Sequence, residues 1–281
     1  MKRGNTIFFK KPPRVRSYAA ICGSKEREGV IGGYADITLA DDMYGESTYE
    51  KAECKMLSGA IRLAVEKGAL TDGDIDVLFS GDLLNQIISA SFAARDFQFP
   101  FLGLYSACST MSESILLAAA MIDGGFARNC VAATGSHFAS AERQYRYPLE
   151  LGCTRPPQSQ WTVTGAGACV ISGEGGGIQV VNATLGRVRD WGISDVNNMG
   201  AAMAPAAADT IMRHFKDTNT LPEDYDMIVT GDLGALGSRI LKDLTWEKGY
   251  DIAPNHVDCG EIIYKVIEDE FQGGSGAGCS A

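Results

Sequence analysis

The sequence predicts an α/β protein built from two related halves, and three observations predict it. Short apolar runs bounded by glycine and polar turns alternate with longer segments in which small and apolar residues recur every three or four positions. That is the pattern of strands alternating with helices. The stretch Asp76-Val-Leu-Phe-Ser-Gly-Asp-Leu83 returns as Asp226-Met-Ile-Val-Thr-Gly-Asp-Leu233, an offset of 226 − 76 = 150 residues. Each copy follows a helix and an acidic turn (Leu70-Thr-Asp-Gly-Asp74; Leu221-Pro-Glu-Asp224), and each leads into another helical segment. Matching flanks point to a duplicated unit, divided as residues 1–177 and 178–281.

Residues 5–22 read as one or two strands interrupted by Lys11-Pro-Pro13, since proline cannot donate to a ladder. Residues 23–48 carry Gly23, Gly29, Gly32, Gly33, Asp41, Asp42 and Gly45 and read as a solvated surface excursion. From Ser47 to Lys67, Ala52, Met56, Ala60, Leu63 and Ala64 form a helical stripe, with Ser47 or Thr48 as N-cap and Gly68 as the stop. A strand over 76–81, a helix over 84–95, a strand over 101–105 and a helix over 112–123 follow. Residues 129–134 form the next strand, and 161–172 approach another through Gly165 and Gly167. A glycine turn at 173–177 precedes a long strand over 178–185. The second copy supplies a strand near 226–231 and a helix over 235–244, and the chain reaches a glycine-rich turn at 273–281.

Composition narrows the function. With 281 residues and 45% hydrophobic content the chain can bury a large core. A net charge of −10 argues against nucleic-acid binding and against polybasic adhesion to membranes. The eight cysteines contain no C-x-x-C pair and read as reduced; His137, His214 and His256 lack zinc-ligand spacing. The amino terminus shows no signal-peptide core, and no apolar run is long enough to span a bilayer. Gly165-Ala-Gly167 lacks the lysine and spacing of a phosphate loop, and Asp41–Glu46 is not a calcium-binding loop.

Chemistry concentrates at Cys108. It lies between the apolar run Pro100–Tyr105 and the buried helix that includes Ile115–Ile122. A thiol at a helix start faces unpaired N–H groups and the positive end of the helix dipole, which favours the thiolate. That is one way to build an acyl-accepting nucleophile. The same position can instead hold a structural thiol, or backbone donors at 108–111 can hold a carboxylate.

The tandem halves, the Ser106-Ala-Cys-Ser109 turn and the late glycine-rich turn resemble the thiolase-like superfamily. Ala141-Glu-Arg-Gln-Tyr-Arg-Tyr-Pro148, Ala201–Thr210, Thr230-Gly-Asp-Leu233 and Gly273–Ala281 resemble, within it, the stage V sporulation protein AD family, along the whole chain. The resemblance implies a five-layered αβαβα fold and a homodimer. It also implies that further helix and strands follow the glycine-rich turn in relatives, so the second half here is expected to be truncated. It implies a non-catalytic protein that binds dipicolinic acid, free or as its calcium chelate, with no other cofactor. Such a protein serves, with the other subunits of a spore membrane complex, the loading of this compound into the developing spore, and sits peripherally at the inner spore membrane.

Residue chemistry agrees with a missing catalyst. Condensing enzymes of the superfamily carry a histidine after the repeated strand, where this chain has Thr230-Gly-Asp-Leu233. The later histidine or asparagine position falls in Gly273-Gly-Ser-Gly276. Cys108 is thus expected to be a relic nucleophile. The ligand-binding candidates are Cys108, Ser109, His137, Arg143, Arg146, Asp232 and Ser275. Arg143 and Arg146 would pair with carboxylates, His137 beside Phe138 would contact a ring, and Asp232 would take a polar ligand edge or the calcium of the chelate. The two arginines can equally pin a dimer loop. A condensing enzyme with an unusual base acting on Cys108 is the alternative.

Overall fold

Proline sets the first breaks in the chain. The computed structural model describes residues 1–145, 152, 154–264 and 271–281. The N-terminal segment forms β1 (Lys2–Arg3) and β2 (Thr6–Phe8), stops at Pro12 and Pro13, and resumes as β3 (Arg14–Cys22). β4 (Ile37–Thr38) pairs beside β3. α1 (Tyr49–Lys67) starts where Thr48 Oγ1 accepts from Lys51 N at 3.3 Å, a cap worth about 1 kcal/mol, and ends at Gly68. β5 (Val77–Gly81), α2 (Ile88–Ala94), β6 (Phe101–Gly103), α3 (Thr110–Asp123), β7 (Asn129–Ser136) and α4 (Phe138–Tyr145) follow. β8 (Trp161–Thr162) and β9 (Gly165–Ser172) complete the first run.

These strands make a seven-stranded sheet in the order β10-β3-β9-β7-β5-β6, with β4 beside β3, where β10 (Ile178–Gln179) is the short edge strand. β5, β6 and β7 run parallel, and β9 is antiparallel to both β7 and β3. Side chains alternate across it. Leu78, Val131 and Ala133 face Met56, Leu57, Ala60 and Ile61 of α1. Val77, Phe79, Cys130 and Ala132 face Met111, Ala118 and Ile122 of α3. Both faces are therefore dry, which is why the strands read as continuous apolar runs. Each buried aliphatic side chain stabilises the fold by about 1.5–3 kcal/mol.

The second part begins with β11 (Asn182–Thr184), then α5 (Met199–Thr218), β12 (Ile228–Thr230), α6 (Gly234–Trp246), β13 (His256–Asp258), α7 (Cys259–Ile262), β14 (Gly274–Ser275) and α8 (Ala277–Ser280). β12 pairs in parallel with β13, β11 joins the β1–β2 hairpin, and β14 pairs with β8. α5 and α6 close a separate core around Ala204, Phe215, Leu241 and Ile252.

Four expectations need correction. The strand expected over 101–105 stops at Gly103. The helix expected over 84–95 starts at Ile88, because Gln86 and Ile87 take left-handed backbone angles while the Asp82 carboxylate accepts from Leu84 N at 2.7 Å and Ala90 N at 2.6 Å. The strand expected over 178–185 splits, since Val180 N bonds to Pro13 O and Val181 O accepts from Phe9 N, moving the chain from one sheet to another. The 23–48 segment is not wholly solvated: Glu26 and Leu39 are buried within it. Among the described residues no helix is long and apolar enough to cross a membrane.

Candidate functional site

The turn after β6 carries Cys108 inward under backbone strain. Ala107, immediately before it, has φ +46°, a left-handed conformation that costs an L-residue about 1–2 kcal/mol. Ser106 Oγ donates to the Glu113 carboxylate, and Ser109 Oγ and Ser109 N both donate to Ser106 O at 3.0 Å. This closes one tight turn, Ala107–Ser109, onto the start of α3. Cys108 is partly buried and packs with Leu83, Ala141 and Ala277.

The glycine-rich segment closes over it. Ser280 Oγ donates to Cys108 O at 2.8 Å, and Gly278 N donates to Ser136 Oγ at 2.8 Å. Cys279 Sγ donates to Gly231 O at 3.0 Å. Gly276 holds φ +100°, and a Cβ there would lie 3.1 Å from Leu83 Cδ1, so only glycine fits this turn. The Gly276 N–H donates to Asp232 Oδ2 at 3.2 Å.

Asp232 is the group that faces the thiol. It follows β12, is buried, and accepts the hydrogen bond of the Cys108 S–H. Burial pushes its carboxyl up to about 6, against the hydrogen bonds from Cys108 and Gly276, with the nearby Asp258 charge adding to the rise. Burial, then the Asp232 charge, push the Cys108 thiol well above its ordinary value. The thiolate expected from the helix start is therefore overridden: burial, with a carboxylate beside the sulfur, outweighs the helix dipole.

Each imidazole is spent elsewhere. Ala139 N donates to His137 Nδ1 at 3.1 Å, so Nε2 carries the proton and donates to Asp42 O at 2.8 Å. His214 lies between Thr184 Oγ1 and Tyr225 OH, at 2.7 and 2.8 Å. His256 Nε2 is 2.9 Å from Thr230 Oγ1, which itself donates to Asp258. Among the described residues no imidazole is hydrogen-bonded to the Cys108 thiol.

Of the predicted residues, the structure brings Cys108 and Asp232 together, with Ser275 buried one residue before Gly276. Ser109 is exposed beside them. His137 and Arg143 face α1 instead: the His137 ring lies 5.1 Å from that of Tyr49, and Arg143 is 3.6 Å from Glu50. Arg146 lies outside the described residues. Phe138 stacks on Trp161 at 4.1 Å, with Arg155 over both rings and paired to Glu142 at 2.9 Å. Gly276, Cys279 and Ser280 join the site beyond the predicted residues; their signal in the sequence is the dipeptide Cys279-Ser280, which echoes Cys108-Ser109. A cavity of about 240 Å³ lies elsewhere, on α5 between Thr184 and Ile228, and holds none of the predicted residues. Among the described residues no group of three or more His, Cys, Asp or Glu side chains could hold a metal ion.

The sequence model of the stage V sporulation protein AD family matches residues 3–281. Stage V sporulation protein AD of Bacillus subtilis strain 168 is 48% identical over 276 residues, covering 98% of this chain and 82% of the relative. The chain belongs to the stage V sporulation protein AD family. Solved structures share the fold at low identity. The tetronic acid condensing enzyme AbyA1 superposes with a TM-score of 0.63 at 14% identity, over 95% of this chain and 87% of that one. The 3-oxoacyl-[acyl-carrier-protein] synthase III of Aquifex aeolicus gives 0.58 at 12%, over 95% and 88%. An OleA structure from Xanthomonas campestris gives 0.62 at 13%, over 98% and 89%. The chain therefore carries an α/β thiolase-like fold. In this member the loop that follows β12 offers the thiol a carboxylate, Asp232.

Proposed function

We propose that the chain is a non-catalytic binding protein for dipicolinic acid, free or as its calcium chelate, acting in the uptake of this compound into the developing bacterial spore. Membership of the sporulation family supports the process. The observation that carries the reading at the site is Asp232 against Cys108. Condensation needs a thiolate and a base that can take its proton. Here the carboxyl titrates near 6 while the thiol is held far above that, so proton transfer from sulfur to Asp232 is strongly uphill. What the pair can do is hydrogen-bond an anion. A carboxylate of the ligand entering beside Asp232 raises that carboxyl further and keeps it protonated, turning it into a donor.

The finer picture is also our inference. The halves 1–177 and 178–281 are duplicates, with Asp82 after β5 and Asp232 after β12 in matching places. In the first half β7 and β9 lie between β5 and β3; in the second, β12 and β11 belong to separate sheets. Calcium, when present, arrives with the ligand's own carboxylates. The chain pairs with a second copy through β6, and works at the inner spore membrane with the other subunits of the transport complex.

Calorimetric titration with dipicolinate, with and without calcium, tests the function. The expected result is saturable binding that strengthens from pH 8 to pH 6 as Asp232 takes up its proton, and that weakens in Asp232→Ala. Incubation with acyl-CoA should leave the mass of the Cys108 peptide unchanged. An acylated Cys108, or no dipicolinate binding in either condition, overturns the reading.

A further inference from the structure

Side chains from β2, β11, α5 and the turn after α5 meet in an unbroken row of hydrogen bonds. Asp217 Oδ2 lies 3.1 Å from Thr6 Oγ1 of β2. Thr6 Oγ1 lies 2.8 Å from Thr184 Oγ1 of β11, its cross-strand partner. Thr184 Oγ1 is 2.7 Å from His214 Nδ1, and His214 Nε2 is 2.8 Å from Tyr225 OH. Tyr225 OH is 2.8 Å from Thr220 Oγ1, which is 2.7 Å from Thr218 Oγ1. Thr218 Oγ1 ends the row 2.7 Å from His214 O, with Phe215 O further off at 3.4 Å.

The two ends fix the direction of the protons. Burial pushes the Asp217 carboxyl up, but the bonds from Asn5 N and Thr6 and the Arg213 charge bring it below the ordinary carboxylate range. It is therefore a carboxylate, and Thr6 donates to it. A carbonyl oxygen only accepts, so Thr218 donates to His214 O. Five links remain between Thr6 and Thr218, and each needs one proton. The hydroxyls of Thr184, Tyr225 and Thr220 supply one each. A neutral imidazole adds one more and leaves a link short; an imidazolium adds two and completes the row.

We propose that His214 is held as an imidazolium in the folded chain and acts as a proton-dependent clasp: charged, it closes the row that ties β2 and β11 to α5 and the following turn; neutral, it leaves two lone pairs facing each other at one of these short contacts. Burial pushes the ring down, against the pull of the Asp217 charge. The ring is only half-buried, which limits that push, and the completed row acts with Asp217 against it. Hydrogen bonds from a charged donor are about twice as strong as neutral ones, and an unmade bond between sequestered oxygens is costly. The charged and titratable groups around the ring are Asp217 and Arg213 on α5, Arg3 on β1, which donates to Asp217 O at 3.1 Å, and Tyr225 in the turn. Asp224 of that turn is engaged with Leu221 N, and Arg213 is shared with Asp209. β2, β11 and β12 present Thr6, Thr184 and Ile228. The clasp therefore stabilises the fold fully below the ring's unfolded value of about 6.5 and loses that contribution as pH rises through its folded value.

Nitrogen-15 NMR of the histidine rings from about pH 5 to about pH 8 tests this, with the His214 signals identified by their loss in His214→Gln. The wild-type ring should titrate at or above its ordinary value of about 6.5. Thr220→Val should lower that midpoint by about one pH unit, a tenfold loss of proton affinity, although Thr220 bonds Tyr225 and Thr218 and not the ring. Without it three links remain, and Thr184, Tyr225 and a neutral ring fill them. Tyr225→Phe leaves the same balance and should act alike, so the test stands if one variant fails to fold. In urea unfolding, the stability gap between wild type and variant should narrow as pH rises across this range. A wild-type midpoint below about 6.5, a midpoint unmoved in the folded variant, or a constant gap overturns the proposal.

Discussion

The Cys108 sulfur keeps its proton because two effects point the same way. Burial removes water that would solvate a thiolate, and Asp232 sets a negative charge against it. The helix start opposes both and loses, since a helix terminus contributes only about 0.3–1 kcal/mol in most settings. Asp232→Asn removes the charge and leaves a side chain of the same shape. Its expected effect is a lower thiol pKa and severalfold faster alkylation of Cys108 by iodoacetamide at pH 8, read as the pH–rate profile of the Cys108 peptide by mass spectrometry. An unchanged or raised pKa would contradict the assignment of Asp232 as the controlling neighbour. Both residues were legible in the sequence, one from its strand–helix junction and the other from a repeated motif. Their contact was not, because it joins segments more than a hundred residues apart. Nor could the sequence reveal that Asp42 O and Ala139 N occupy both nitrogens of His137.

At the scale of elements, the periodic segments were the readable ones. α1 runs within two residues of the stripe that predicted it, because one face is apolar throughout and both ends carry capping residues. The 178–185 run was misread for a reason that lies in a distant segment: Pro12 and Pro13 divide the strands it pairs with, so it must divide too. β6 raises a different question. It is the end strand of the large sheet, and Leu102 on it and Tyr105 just beyond are at least half exposed, with Phe92 of α2 exposed nearby in sequence. An apolar, uncharged edge is an open template for another strand. A second copy pairing edge to edge would cover it. Light scattering behind size exclusion should give the dimer mass for the wild type and the monomer mass for Leu102→Lys, which puts a charge into the edge. A monomeric wild type at tens of micromolar would remove β6 as the dimer edge.

Acid groups buried across the whole molecule set how its stability varies with pH. Glu26 ties the 23–48 segment to the far end of the chain: it accepts from Thr164 N at 2.9 Å and from the Tyr264 hydroxyl. Burial pushes it up to about 7. Asp232 stands at about 6, and burial with the neighbouring Asp82 charge raises Glu53 well above the usual range. For each, the folded chain binds a proton more tightly than the unfolded one. Their contribution is therefore full below the unfolded carboxyl values, and that of Glu26 and Asp232 is lost as pH rises from there through about 6 and 7. Asp36, Asp209 and Asp217 are shifted downward and act in the opposite sense, losing their contribution only as pH falls below about 4. The melting temperature should accordingly peak in mildly acid buffer and fall from about pH 4.5 to pH 7, between the unfolded carboxyl values and those that Glu26 and Asp232 take in the folded chain. Glu26→Gln keeps an acceptor for Tyr264 and Thr164 but cannot ionise. It should flatten that fall, gaining up to about 3 kcal/mol over the wild type at pH 8, with the gap closing towards pH 4.5. Urea unfolding of both proteins across this range measures it. Parallel curves would mean that Glu26 ionises in the folded protein as easily as in water, and that the strap it forms with Tyr264 does not depend on its proton.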